Sequence, residues 1–136
     1  MFGWLAKWLG RRPPLRGGPA QPRLKTYAAQ SGYVYQYFFL GRQEGRYQGE
    51  PATEYVFQAS AGAERRLAVQ VVVPESSLAP VETAWGRKLA GNERYAVAKM
   101  ALFQAFDERP EPASMRAGVI VRASDAAAIL ARLGFL

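Results

Sequence analysis

Between residues 32 and 73 apolar and polar positions alternate with the period of two that marks half-buried strands. GYVYQYFFL (32–40) is dense in aromatic and β-branched types, TEYVFQA (53–59) repeats the pattern, and RLAVQVVV (66–73) ends at Pro74. The Gly-rich stretch GRQEGRYQGEPA (41–52) and SAGAE (60–64) separate them, so the spacing predicts a three-stranded antiparallel meander.

Beyond Pro74 the period lengthens to that of a helix. Pro80, at a predicted first helical position, is followed by Val81, Ala84, Trp85, Lys88 and Leu89, with Gly91 as the stop. Asn92 is expected to cap a second helix over 93–108. Its apolar residues Tyr95, Val97, Met100, Leu102, Phe103 and Phe106 surround it almost completely, which places it in the core. GVIVRA (118–123) predicts a fourth strand, and Ser124 opens a last helix carrying Ala126, Ile129, Leu130 and Leu133 on one face. The order βββααβα implies an α+β domain over 27–136, with a helical hairpin, a fourth strand and a C-terminal helix packed on one face of the sheet.

Alternation also sorts side chains between faces. Gln36, Gln58 and Gln70 share one side, so Tyr33, Tyr35, Tyr37 and Phe39 are expected on the core side with Tyr55 and Phe57. The outer side then presents Val34, Gln36, Phe38, Leu40, Val56, Gln58, Ala68 and Val72, more apolar than a solvated antiparallel sheet. Of these, Val34, Gln36, Phe38, Leu40, Val56, Gln58 and Val72 form a candidate contact surface. It is to be covered by the chain's own N-terminus, a second copy in a homodimer, or another protein.

Charge divides the chain differently. Eighteen basic residues stand against eleven acidic ones, a formal net charge of +7. Six of the basic residues, Lys7, Arg11, Arg12, Arg16, Arg23 and Lys25, fall in the first twenty-six positions with no acid, so the rest is nearly neutral. Residues 13–26 are rich in Pro and Gly and read as a linker. Residues 1–12, MFGWLAKWLGRR, are amphipathic: Phe2, Trp4, Leu5, Trp8 and Leu9 share an arc, while Lys7 and Arg11 lie opposite and Arg12 breaks the apolar side. This segment is expected to attach peripherally to an anionic membrane or a partner. Lys7 interrupts the apolar run and no long hydrophobic core follows, so it does not read as a secretory signal; the expected location is cytoplasmic.

With neither Cys nor His, the chain lacks Cys/His zinc sites, iron–sulfur ligation and Ser–His or Cys–His nucleophile pairs. Phosphate-loop and dinucleotide fingerprints are also missing. No cofactor, metal or catalytic residue is expected, and the sequence reads as a non-enzymatic interaction module. A carboxylate enzyme using Asp107, Glu108 or Lys99 is the weaker alternative: Asp107, Glu108 and Glu111 form the one local acidic cluster, but no distinct acid and base emerge. Pairing with Arg109, Arg116 or Arg122 is expected to relieve the acids, and Lys99 to extend its stem toward the rim. Nucleic acid is a second alternative, with the basic N-terminus as an arm and Tyr33, Tyr35 and Tyr37 as a stacking platform. The nearly neutral body weighs against it, and the helix pair shows too few polar side chains to read base edges.

Overall fold

The computed structural model describes residues 15–62 and 65–135. It is an α+β domain with one five-stranded sheet, ordered as in the chain. Strands β1 (Lys25–Ala28), β2 (Val34–Tyr47), β3 (Glu50–Ala61) and β4 (Leu67–Pro74) pair antiparallel in succession. Helices α1 (Glu75–Trp85) and α2 (Gly91–Glu108) and a 3-10 turn (Pro112–Ala117) then return the chain to β5 (Val119–Ile120), parallel to β4, before α3 (Ala123–Arg132).

The meander is longer than its aromatic runs suggest. Residues 41–52, expected to be a connection, are mostly strand, and the reversal is confined to Gln48 and Gly49, with φ of 50° and 83°. Two successive positive φ values give the tight hairpin whose twist matches its strands. The other glycine signal is a bulge: Phe39 faces Phe57 but Gly41 faces Val56, so Leu40 is the extra residue. At Gly41, φ is 145°, and a Cβ there would meet Leu15 Cβ at 2.8 Å and the Arg16 carbonyl at 3.0 Å. Glycine thereby lets Arg16 pair with Arg42 through two backbone hydrogen bonds of 2.8 and 2.7 Å. The stretch read as a linker is thus tied to the sheet at Arg16, and its last residues, Lys25 and Thr26, begin β1.

Helix boundaries shift for local reasons. Pro80 is inside α1 and does not begin it; Pro74 is the N-cap, and the helix starts directly where β4 stops. Leu78 and Val81, both buried, set the apolar face one turn earlier than expected. Gly86, left-handed at φ 72°, ends α1 by donating its N–H to Glu82 O. Lys88 and Leu89 therefore belong to a loop, and Leu89 enters the core from there. Helix α2 starts at Gly91 with Ala90, not Asn92, as N-cap, and the Glu93 carboxylate accepts the Ala90 N–H at 2.7 Å. The expected fourth strand shrinks to Val119–Ile120, and Arg122 rather than Ser124 precedes α3, where Asp125 accepts its N–H at 2.9 Å.

One core lies between the helices and the inner sheet face. Tyr35, Tyr37, Tyr55, Phe57, Val69 and Val71 meet Val97, Leu102, Phe106, Leu78, Ile129 and Leu130 there. Each fully buried side chain of this size stabilises by roughly 1.5–3 kcal/mol, which is why the nearly all-round apolar α2 is the central helix. Beneath the core, Ser77 Oγ donates to Val121 O at 2.7 Å and fixes α1 to the end of β5.

Candidate functional site

Cross-strand pairing defines the sheet face turned away from the helices. Thr26 and Ala28 of β1 stand opposite Gln36 and Val34 of β2. Gln36 and Phe38 then face Ser60 and Gln58 of β3, and Gln58 faces Ala68 of β4. None of these eight residues is charged. Val34 is 52% exposed, Gln36, Thr26, Ala28 and Ala68 are also exposed, and Phe38, Gln58 and Ser60 are half-buried. Leu24, in line with Thr26 and Ala28 just before β1, is 52% exposed as well. A shallow depression bordered by Tyr33, Val34, Gln36, Gly62 and Arg65 lies at one corner.

Past the bulge the same face changes character. Val56 and Val72, expected among the open contact residues, are buried, as are Gln43 and Glu54. Gln70 stands opposite Val56 and Glu54 opposite Val72, and Gln70 Nε2 donates to Glu54 Oε1 at 2.7 Å. That diagonal runs between the two valines, and their half of the surface is closed to solvent. Leu40, the bulge residue, is half-buried. The solvent-exposed part of the candidate surface is therefore the β1–β2 half, and Leu24, Thr26 and Ala28 extend it. Sequence reasoning missed these three because the Pro/Gly-rich composition ahead of them masks a four-residue strand.

The tyrosine row points the other way. Tyr35 and Tyr37 are 1% and 4% exposed, and Tyr33 alone reaches solvent. Tyr35 stacks on Phe106 at 3.9 Å and Tyr37 meets Phe103 edge-on at 5.4 Å, so the strand offers no stacking platform for bases. Burial pushes the Tyr35, Tyr37, Tyr55 and Tyr95 hydroxyls up, which keeps them protonated.

On the helix side, charges are spent on one another. Arg94 of α2 bonds Glu75 at 2.5 Å and Thr53 Oγ1 at 3.3 Å, with Glu82 Oε2 at 3.9 Å. Burial alone would lower the Arg94 pKa, but the Glu75 hydrogen bond and charge outweigh it and raise it. Buried Glu82 also accepts the Leu89 N–H at 2.8 Å. Arg87 grips Glu93 with bonds of 2.8 and 2.9 Å, and this pairing, with the Ala90 N–H, holds the Glu93 carboxyl down to about 2. Two adjoining cavities of about 310 and 290 Å³ border the network, sharing Arg42, Tyr55 and Gly91. No residue pattern hints at them, because Arg42 sits in the stretch that reads as a loop.

The acidic cluster does not assemble as expected. Asp107 accepts from Tyr27 Oη at 2.8 Å and from the Gln30 N–H at 2.9 Å, anchoring β1 and its turn to the end of α2. Arg109 instead donates to the Ser114 and Gly118 carbonyls at 3.0 and 2.7 Å, which pins the 3-10 turn. The chain's nearest hydrogen-bonding groups, not the arginines, relieve Asp107. Lys99 is half-buried with its ammonium 5.8 Å from the Phe103 ring and near exposed Lys25; burial and Lys25 push its pKa down. Among the described residues no group of three acidic side chains is arranged to hold a metal ion, and no helix is long and apolar enough to cross a membrane. The predicted attachment residues Phe2, Trp4, Leu5, Lys7, Trp8, Leu9, Arg11 and Arg12 lie outside the described residues.

The class defined by this geometry is a small α+β domain with one sheet face packed under helices and the other half open. No protein-family model, curated protein or solved structure matches the chain.

Proposed function

We propose that this protein is a non-enzymatic contact module that pairs with a second copy of itself through the β1–β2 half of its outer sheet face. The observation carrying this reading is a continuous uncharged surface, Thr26, Ala28, Val34, Gln36, Phe38, Gln58, Ser60 and Ala68, on a chain of net charge +7. Charged side chains are costly to bury and repel their own copies, so a face that carries none meets its own copy at the least cost. Val34 and Phe38 supply apolar area, while Gln36, Gln58 and Thr26 supply donors and acceptors that a copy related by a two-fold axis satisfies reciprocally. Residues 1–12 attach the pair peripherally to an anionic membrane surface from the cytoplasmic side.

Sedimentation velocity over a range of protein concentrations tests the pairing. The full chain is expected to shift from monomer to dimer, and Val34→Glu, which sets a carboxylate in the uncharged face, to stay monomeric with unchanged circular dichroism. A wild-type chain that stays monomeric throughout would overturn the proposal.

A further inference from the structure

At the far end of the sheet from the hairpin, β2, β3 and the start of β4 meet the 3-10 turn around a cavity of about 100 Å³. Tyr35 lines it, and the Tyr35 hydroxyl is fully buried with no hydrogen-bond partner among the protein groups. A buried hydroxyl left unpaired is costly, and nearly all such groups in folded proteins find a partner. Arg109, whose charge reaches Tyr35, does not serve: it donates to the Ser114 and Gly118 carbonyls. Two arginines line the cavity, Arg65 and Arg116, and neither forms an ion pair with an acid among the described residues. The remaining walls are mainly small or apolar, with Ala59, Ala61, Leu67, Ala113 and Met115.

We infer that this cavity binds a small carboxylate, its oxygens accepting from the Tyr35 hydroxyl and the Arg65 and Arg116 guanidinium groups, and its short apolar end resting on the alanines and Met115. The chemistry selects this class. A planar carboxylate accepts from the paired N–H donors of a guanidinium group. A phosphate brings more oxygens than these three side chains satisfy and finds apolar walls around the rest. Size sets the chain length: a dry cavity of about 150 Å³ accepts a six-carbon ring, so one of this volume takes roughly four or five heavy atoms, the size of propionate. The hydroxyl stays protonated, since burial raises its pKa, and so remains a donor. The cavity adjoins the uncharged outer face, since Ser60 lines it and Arg65 also borders the corner depression, but none of the proposed carboxylate contacts comes from a second copy.

Titration of the full chain with propionate, followed by amide chemical shifts of Ala59, Ala61 and Met115, tests the assignment. Saturable shifts are expected, with a dissociation constant on the order of a millimolar for so small a ligand. Propionamide, which has the same shape without the charge, is expected not to saturate. N-acetylalanine separates the two sources of the group: binding equal to propionate points to a chain terminus, and rejection to a free short-chain acid. Tyr35→Phe and Arg116→Gln are each expected to weaken propionate binding about tenfold. The phenylalanine variant should keep or raise the thermal midpoint, because it removes only an unpaired hydroxyl. Linear shifts without saturation, equal response to propionamide, or full affinity in Tyr35→Phe would each overturn the proposal.

Discussion

The Tyr35 ring lies 3.9 Å from the Phe106 ring, 10° from parallel, so the start of β2 is locked to the last turns of α2. Phe103 and Phe106 of that helix also contact Tyr27 and Tyr37, which makes α2 the element that turns the tyrosine row inward.

Replacing Phe106 by Ala therefore removes a side chain that is 0% exposed and in contact with three tyrosine rings. The expected loss is about 3–5 kcal/mol of unfolding free energy. Urea denaturation checks it; a loss under about 1 kcal/mol would mean that the aromatic packing carries little of the core.

Gly41→Ala tests the Arg16–Arg42 pairing. Alanine at a φ of 145° is strained, and its Cβ would press on Leu15 and the Arg16 carbonyl. A destabilisation of about 1–3 kcal/mol is expected, together with faster hydrogen exchange at the Arg16 and Arg42 amides. Unchanged exchange at both would count against the strap.

The Arg87–Glu93 pair fixes a pH dependence. The folded Glu93 carboxyl titrates at about 2, below its ordinary 4.5, so its stabilising contribution is fully present above 4.5 and is lost as the pH falls from there toward 2. Thermal midpoints of wild type and Glu93→Gln should differ by a constant amount from pH 5 to 8 and converge in acid. A gap that persists unchanged to pH 2 would contradict the assignment.

For the N-terminal segment, Trp4→Ala/Trp8→Ala in the full chain removes both interfacial rings. Co-sedimentation with anionic vesicles is expected to fall at least tenfold, and added salt to weaken wild-type binding. Equal sedimentation of the two proteins would remove the membrane role.

Where one physical signal dominated, the sequence was readable. The alternation in residues 32–40 placed Tyr35 and Tyr37 inward, and the all-round apolar pattern of 93–108 marked α2 as central. Competing signals concealed the rest. Glycines at 41, 45 and 49 suggested a loop where Gly41 serves a bulge and Gly49 a tight turn. Pro80 mimicked a helix start because Pro74, six residues earlier, also opens one. β1 was invisible because its four residues are too few for a clear alternation and gain their place from pairing with β2 and from the Tyr27–Asp107 bond, eighty residues apart in sequence. The contact surface was half legible: alternation assigned Val34, Gln36, Phe38 and Gln58 to their face. The burial of Val56 and Val72, beside the cross-strand Glu54–Gln70 bond, is not visible in any local pattern.

Solvent access at Val34 bears most directly on the pairing. With a soluble paramagnetic agent, methyl relaxation of Val34 should be strong in dilute solution and fall several-fold in concentrated solution, where the dimer covers it, while the Leu133 methyls serve as an exposed reference away from the sheet. If Val34 relaxes as fast at high concentration as at low, its face stays open to water and the proposed dimer does not form through it.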